Sequence, residues 1–486
     1  MPARRRLIAA VLLALPACVA PPTPPAPLPL SVDTLDLRAT TWFLAQDALR
    51  GRGTGDPVTR LAANFIVARC LALGLEPVGG SYLDTVPLMD AGLDSTTTLQ
   101  VIGPDTNTFR YGADFVVTGG TMRDLDTSHA GRATWLGDPD HLPATLPSLT
   151  GAIAVIVGVA EPGQADALAK AGTAGIVGLV GDDATLARFR DAYGDPLRFA
   201  RPTTSSFFPP IPVVVGGSGV TQALVPVARG QRRRLQLDLV PHPKPVEAMN
   251  VGCLLPGSEA RTADTAIAFT AHYDHLGVGT PVNGDSIYNG FSDNAAGVAM
   301  LLAIARELRQ PAMRPRHSVL FLFFTGEERG LLGSDWWVAH PRWPLDRIRA
   351  VINLDAGAPP ARVWSWRLAG GDSGWLGDLA RDVAQEQGWS AVTSAPRANS
   401  DYFPFHRMGV PAIFPIPTPA PYEGLSADSS EALRRRWDRY HQPGDEWFPD
   451  FPFAGVARYA EYALRIGLAV DGGPNRHRAA PRDGTR

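Results

Sequence analysis

The stretch SVLFLFFTGEERGLLGS, residues 318–334, sets the expectation for the whole fold. Its first half is an apolar run without a charge, which is typical of a strand buried on both faces. The run is followed by two adjacent carboxylates, Glu327 and Glu328. Neighbouring carboxylates repel each other unless a cation or a proton compensates. The stretch therefore predicts a central strand that delivers acidic side chains to a site with positive charge nearby.

Two further apolar runs lie in the second half of the chain. They are TAIAFTAHYDH, residues 265–275, and RAVINLDAG, residues 349–357. The segment AAGVAMLLAIARELRQ, residues 295–310, has apolar residues at helical spacing. This alternation predicts an α/β fold with a mixed, largely parallel central sheet and helices on both faces.

Composition limits the possible functions. The chain has 486 residues, 45% of them hydrophobic, which is enough for two or three domains with buried cores. Only 19% of the residues are charged, and the formal net charge is −3. Because no basic field is present, we expect no nucleic-acid partner.

The N-terminus has the pattern of an export signal. MPARRR is a positive region, LIAAVLLAL is an apolar region too short to span a bilayer, and LPAC ends at Cys18. The pattern favours a lipoprotein signal over residues 1–18, a lipidated Cys18, and a proline-rich tether over residues 19–30. This places the protein in the cell envelope, anchored to a membrane by its lipid. Cleavage after Ala20, giving a secreted soluble protein, is the alternative.

The composition and hydrophobic pattern of the sequence change twice between the signal and the C-terminus. Between residues 105 and 245 short β-rich runs alternate with Gly, Pro and Asp. We expect residues 31–104 and 246–472 to form one domain, with residues 105–245 inserted as a smaller, β-rich α/β domain. Residues 473–486 are expected to be a disordered tail.

Cysteine is rare, since Cys18, Cys70 and Cys253 are the full set. Their spacing excludes a cysteine-based zinc site. In an exported protein Cys70 and Cys253 are either a disulfide or two buried thiols, and the sequence leaves both open.

Each of the three apolar runs is followed by polar side chains. They are His272 and Asp274, then Glu327 and Glu328, then Asp355. In open α/β sheets the carboxyl ends of the strands are where ligands bind. We therefore expect these side chains to lie at one edge of the sheet.

Two loops add Asp293 and His441 to this set. Imidazoles and carboxylates without thiolates are typical of a catalytic zinc site. The number of candidate ligands favours two ions about 3.5 to 4 Å apart, bridged by one carboxylate.

The adjacent glutamates are expected to have different roles, because consecutive residues near a strand end point to different sides. Glu328 is then a metal ligand, and Glu327 is a general base that takes a proton from water. At i and i+2 on one strand face, Asp274 is expected to orient the imidazole of His272. His275 and His406 are interpreted as structural, since no ligand position needs them.

The motifs AHYDHLG, FSDNAAG, TGEERGLLGS, NLDA and YHQPGDE, in this order, resemble the family of co-catalytic di-zinc aminopeptidases and glutamate carboxypeptidases. The resemblance implies two zinc ions per chain and a cis peptide between Asp293 and Asn294. It implies that the first ion is held by His272 and Asp355, the second by Glu328 and His441, and both by Asp293, with Glu327 as the base.

Weaker parts of the resemblance concern the substrate. Tyr440 is similar to a residue that stabilises the tetrahedral oxyanion, although a packed aromatic is an equal interpretation. Ser400, Asp401 and Tyr402 lie in a segment similar to a loop that lines the substrate pocket, while Asp401 can equally cap a turn. The inserted segment resembles a protease-associated domain, on the residues AGTAGIVGLV.

The expected function is that of a zinc exopeptidase, and in particular an aminopeptidase acting on peptides. A glutaminyl cyclase that uses one zinc is an alternative on the same scaffold. A non-catalytic, receptor-like binding protein is a second alternative, although such proteins usually lack ligands that are all present in this chain.

Overall fold

The computed structural model describes residues 32–90, 92–118, 128–143, 145–193, 197–199 and 211–472. The predicted lipoprotein signal with Cys18, the proline-rich tether and the C-terminal tail lie outside these residues. The α-helices are α1 Thr34–Leu44, α2 Thr59–Ala72, α3 Pro162–Lys170, α4 Asp183–Tyr193, α5 Ser218–Ala228, α6 Ala296–Leu308, α7 Leu332–Ala339, α8 Trp375–Glu386, α9 Tyr402–Arg407, α10 Ala427–Trp437 and α11 Ala454–Asp471. Within the described ranges, none of the helices is both long and apolar enough to span a bilayer.

The strands form two large sheets and two small ones. In chain order they are β1 Glu76–Pro77, β2 Leu83–Thr85, β3 Leu88–Asp90, β4 Thr98–Ile102, β5 Asn107–Arg110, β6 Phe115–Val117, β7 Ser128–Gly137, β8 Ala152–Val157, β9 Ile176–Leu179, β10 Leu197–Phe199, β11 Val213–Gly216, β12 Arg234–Asp238, β13 Lys244–Val246, β14 Met249–Leu255, β15 Ala266–His272, β16 Gly277–Val282, β17 Asp285–Tyr288, β18 Ser318–Phe324, β19 Ile348–Asn353, β20 Ser365–Ala369, β21 Ser390–Ser394 and β22 Ala412–Pro417.

The nine-stranded sheet has the order β1-β14-β18-β15-β19-β22-β20-β21, and β2 also pairs with β14. Its centre is parallel, from β18 through β15 and β19 to β22. Antiparallel pairs join β14 to β18 and β20 to β22, so the sheet is mixed and its parallel part is central. The mixed α/β architecture that the apolar runs predicted is confirmed.

Helices cover both faces of this sheet, as β18 illustrates. Val319, Phe321 and Phe323 pack in the cluster that contains residues of α1, α2, α6, α8 and α11. Leu320, Leu322 and Phe324 pack in the opposite cluster, with residues of α7 and α9. The alternation follows from the two-residue period of a strand. Burial on both faces explains why the run has no charge.

A second, eight-stranded sheet has the order β5-β4-β12-β7-β8-β9-β11-β6. Strands β7, β8, β9 and β11 are parallel, and a separate apolar cluster packs against them. The predicted boundary at residue 105 falls inside this sheet, because β4 ends at Ile102 and pairs with β5 and β12. The sheet therefore begins before that boundary, with Leu99 and Val101 of β4 buried in its core.

Cys70 and Cys253 form a disulfide that joins α2 to β14. Both residues are fully buried in the main core cluster. The sequence left open a disulfide or two buried thiols, and the structure contains the disulfide.

Candidate metal centre

Three neighbouring strands bring the predicted residues to one edge of the nine-stranded sheet. Strands β18, β15 and β19 are adjacent and parallel. His272 is the last residue of β15, whereas Glu327 and Glu328 follow β18 and Asp355 follows β19. Because parallel strands end on the same side, these side chains converge.

The two loop residues complete the group. Asp293 lies in the turn Phe291–Ala295, directly before α6, and its own backbone dihedral angles are not helical. The carboxylate of Asp445 accepts hydrogen bonds from the backbone N–H groups of Ser292 and Asp293, and so fixes this turn. The peptide bond between Asp293 and Asn294 is cis, as the resemblance implied. His441 follows α10, and its ring stacks on that of Tyr440 at 3.8 Å between centroids.

The five predicted ligands form two groups that share Asp293. In the first, His272 Nε2 lies 2.7 Å from Asp355 Oδ1 and 3.2 Å from Asp293 Oδ1. In the second, His441 Nε2 lies 3.2 Å from Asp293 Oδ2 and 3.3 Å from Glu328 Oε2. One carboxylate thus presents a different oxygen to each group.

The distances in the second group fit a divalent metal ion, whereas His272 Nε2 lies nearer to Asp355 Oδ1, at 2.7 Å, than two ligands of one ion would. Ligands arranged tetrahedrally at zinc-ligand distances of about 2.0–2.1 Å are separated from each other by about 3.3 Å. The separations of 3.2 and 3.3 Å around His441 match this spacing. Three sets of side chains have ligand atoms within 4.8 Å of one another, and together they contain His272, Asp293, Glu328, Asp355, Glu327 and His275.

The comparison with known proteins identifies the part of the chain that carries these residues. Residues 250–463 match the model of peptidase family M28. Over this segment the chain is similar to that family. The segment includes every member of the two donor groups.

Two curated relatives are similar to parts of the chain. Aminopeptidase YwaD of Bacillus subtilis is 29% identical over 150 residues, which are 29% of this chain and 30% of the relative. A probable leucine aminopeptidase 2 of Aspergillus oryzae is 27% identical over 203 residues, 37% of each protein. The aligned part of the chain thus spans about a third of the length of these curated relatives.

Two solved structures share the fold over most of the chain. The structure of an aminopeptidase from Aneurinibacillus sp. strain AM-1 has a TM-score of 0.56 and 18% identity, covering 90% of this chain and 94% of that one. The structure of BSAP, a zinc aminopeptidase from Bacillus subtilis, has a TM-score of 0.52 and 19% identity, covering 90% and 95%. At this identity they show a common fold.

The two adjacent glutamates, Glu327 and Glu328, differ electrostatically. Burial alone would raise the pKa of Glu328, as does Asp293, but the imidazoles of His275 and His441 lower it to about 2. Burial raises the pKa of Glu327 well above its usual value, and the carboxylates of Asp355 and Glu328 add to this against the effect of His272. Glu328 is therefore an anion suited to hold a cation, and Glu327 is a group with high proton affinity.

Asp274 is placed differently from the expectation. His272 Nδ1 lies 3.1 Å from the backbone carbonyl of Asp274 and 3.7 Å from its carboxylate oxygen Oδ1. The carboxylate instead accepts hydrogen bonds from Thr54 Oγ1 at 2.6 Å and from the backbone N–H of Glu327 at 3.3 Å. Asp274 thus contacts the imidazole through its main chain and holds the loop of Glu327 through its side chain.

The segment 400–402 lies behind the centre rather than on the cavity surface. Ser400 donates a hydrogen bond to Asp355 Oδ2 and accepts one from Asn353 Nδ2 at 2.6 Å. Asp401 accepts from Ser334 Oγ at 2.5 Å, and the Tyr402 hydroxyl accepts from a backbone N–H. All three are fully buried, so the predicted pocket-lining role is corrected to support of Asp355 and its surroundings.

A cavity of about 510 Å³ opens beside the donor groups. It is lined by Glu327, Tyr440, Asn399 and two cationic side chains, Arg367 and Arg434. Among the described residues, the lining comes from positions between 272 and 440, and the eight-stranded sheet contributes none of it. Tyr440 is 64% exposed, which places it on the cavity wall rather than in the core.

Arg52 holds together two loops that carry residues of the metal centre, a role that no sequence pattern indicated. Arg52 lies in the glycine-rich stretch RGRGTGDP, residues 50–57, and is fully buried. Its guanidinium donates to the backbone carbonyls of Tyr273 at 2.7 Å, Asn289 at 2.6 Å and Gly290 at 2.8 Å. It also donates to Leu44. Arg52 therefore ties the loop after β15 to the loop that leads to Asp293.

We expect Arg52→Met to lower the free energy of unfolding by about 3 kcal/mol or more, because it leaves several buried carbonyls without donors. Arg50→Met is the matched control, since the Arg50 side chain is 55% exposed and pairs with Asp56 at the surface. We expect the control to change stability by less than about 1 kcal/mol. Urea denaturation of both variants tests this, and equal stability of the two contradicts it.

Proposed function

We propose that this protein is a di-zinc aminopeptidase that releases N-terminal residues from peptides. The observation that carries the proposal is the shared carboxylate: Asp293 gives one oxygen to each of two histidine-containing donor groups. Two donor groups indicate two metal ions, whereas a glutaminyl cyclase uses one. The complete ligand set also argues against a non-catalytic binding protein. The names of the relatives, an aminopeptidase and a probable leucine aminopeptidase, support the same function.

Bound zinc supplies Lewis-acid polarisation of the scissile carbonyl and activates water for attack. The chain itself supplies the proton transfers. Glu327 lines the cavity and has a raised pKa, so it can take a proton from the attacking water and deliver it to the leaving amine. Tyr440, at the cavity wall beside His441, is the side chain we assign to hydrogen bonding with the oxyanion. Asp274 holds the Glu327 loop in place.

A release assay over matched peptides tests this function. We expect free-amino peptides to lose their first residue and N-acetylated copies of the same peptides to remain intact. C-terminally amidated copies should be cleaved at the same bond as the free acids. Cleavage of N-acetylated peptides from the C-terminus indicates a carboxypeptidase, and cyclisation of N-terminal glutamine without hydrolysis indicates a cyclase.

We also propose that the protein is exported and lipid-anchored in the cell envelope. The buried Cys70–Cys253 disulfide supports export, because disulfides persist in oxidising compartments. The N-terminal signal and lipobox pattern ending at Cys18 supports the anchor. Fractionation of cells producing the full chain tests both, since recovery in the cytoplasm contradicts export and recovery as a soluble secreted protein contradicts the anchor.

We further infer that the eight-stranded sheet is the core of an inserted, protease-associated-like domain. The separate apolar cluster between its strands and helices supports an independent core. Expression of residues 92–243 tests this inference. A folded fragment supports an inserted domain, and an unfolded one contradicts it.

A further inference from the structure

His275 touches the metal centre, although its sequence context assigned it no role there. It follows β15 and is fully buried. Its Nδ1 lies 2.5 Å from Glu328 Oε1 and 3.8 Å from Asp293 Oδ2. The prediction that His275 is only structural therefore does not account for its contacts with two of the predicted ligands. Either it is an additional ligand, or it acts on the ligand Glu328.

The distances favour a hydrogen bond to Glu328. At 2.5 Å, His275 Nδ1 and Glu328 Oε1 are closer than the histidine–carboxylate pairs of the two donor groups, which are 2.7 to 3.3 Å apart, and the separation is that of a short, charge-assisted hydrogen bond. Glu328 has its other oxygen, Oε2, 3.3 Å from His441 Nε2. One oxygen thus faces His275 and the other faces the second donor group.

The second ring nitrogen of His275 gives independent support. Its Nε2 is buried and has no hydrogen-bond partner among the described residues. A histidine that binds metal through one nitrogen usually donates the N–H of the other to a carbonyl or carboxylate. If Nδ1 held the metal, the ring would carry its N–H on Nε2, which lacks the carbonyl or carboxylate partner that such an N–H usually has. The proton is better placed on Nδ1, where Glu328 accepts it.

Packing fixes the orientation of the His275 ring. The backbone N–H of His275 donates to the carbonyl of Arg52 at 3.1 Å. A side chain at Gly290 would place its Cβ 2.6 Å from the ring atoms of His275, so the ring lies directly against this glycine. On another side the ring meets that of His441 edge-on, with centroids 5.7 Å apart. These contacts fix the direction in which Nδ1 points.

We propose that His275 is a positioning residue that donates its Nδ1–H to Glu328 Oε1 and thereby presents Oε2 to the second zinc ion. The inference rests on the proposed zinc function. It assigns to His275 neither a bond to the metal nor a contact with substrate. It predicts that the site needs a donor at the Nδ1 position rather than an imidazole.

Two substitutions distinguish a hydrogen-bond donor at position 275 from a metal ligand at that position. Asparagine can place its amide N–H₂ where His275 has Nδ1, whereas alanine has no donor. We expect His275→Ala to weaken the binding of one of two zinc ions by about 10–100-fold, the usual effect of losing a partner of a metal ligand. We expect His275→Asn to bind both ions within about threefold of the wild type, because the hydrogen bond is retained.

The measurement is competition for Zn²⁺ between the purified full chain and a chromophoric chelator, together with zinc-edge X-ray absorption of the wild type. Absorption data that give an average of one imidazole per ion support the proposal. An average above one, or equal weakening in the Asn and Ala variants, makes His275 a ligand and overturns it. Unchanged binding in His275→Ala also overturns it. If the Ala variant does not fold, the Asn variant and the absorption data still decide.

The same data keep this inference separate from the proposed activity. A wild type that binds two zinc ions but hydrolyses no peptide contradicts the aminopeptidase function and leaves the role of His275 intact. A wild type that binds no zinc contradicts both.

Discussion

Replacing Glu327 with glutamine is expected to lower kcat by about 10²–10⁴ while zinc content stays near two ions per chain. The substitution keeps the size of the side chain and removes its ability to accept a proton. Glu327 lines the cavity, and its side chain lies within 4.8 Å of ligand atoms of His272 and Glu328. Its raised pKa makes it the stronger proton acceptor of the two adjacent glutamates.

The neighbouring residue provides the matched control. Glu328→Gln makes the same chemical change one position along the chain, but in a side chain that contacts His441 and His275. We expect it to lose zinc, whereas Glu327→Gln should not. Steady-state kinetics and metal analysis of both variants measure the difference. A Glu327→Gln enzyme that retains wild-type kcat contradicts the assignment of the base, and one that loses zinc shows that Glu327 is a ligand.

Substitution of Asp293 by alanine is expected to remove both zinc ions, because this carboxylate contacts both donor groups. Asp355 is a member of the first group only, with its Oδ1 at 2.7 Å from His272 Nε2. Asp355→Ala should therefore retain about one ion per chain. The measurement is the zinc content of each variant after dialysis against the same chelator at the same concentration.

Asp438→Asn is the control for the Asp293 series. Asp438 lines the same cavity but is not a member of either donor group. Its Oδ1 accepts the backbone N–H of Tyr440 at 3.2 Å, and an asparagine oxygen can do the same. We expect this variant to keep about two ions. If Asp293→Ala retains one ion, as Asp355→Ala does, Asp293 does not bridge.

Much of the site could be predicted because its residues follow strongly patterned strands. The apolar runs that end near His272, Glu328 and Asp355 predicted central, parallel strands, because such strands are buried on both faces. Parallel strands end at the same edge of a sheet, so their side chains converge there. Asp293 and His441 lie in loops, so no periodicity placed them, and the resemblance to a known family indicated their roles. The structure brings these five residues together.

The residues that were missed are those whose role depends on packing. Arg52 lies in a glycine-rich loop with the composition of an exposed segment, and only the folded chain shows that carbonyls from distant segments surround it. His275 differs from His272 in the direction of its ring, which the contacts of Gly290 and His441 set. Ser400 was placed in a pocket wall, but it lies behind Asp355 and bonds to it from there. Sequence spacing carries no information on these directions.

The measurement that tests the metal centre most directly is zinc-edge anomalous diffraction from crystals of the purified protein. We expect two anomalous peaks about 3.5–4 Å apart, with Asp293 between them. One peak should contact His272 and Asp355, and the other Glu328 and His441. A single peak, or peaks that leave Asp293 without a metal contact, contradicts the di-zinc site on which the proposed aminopeptidase function depends.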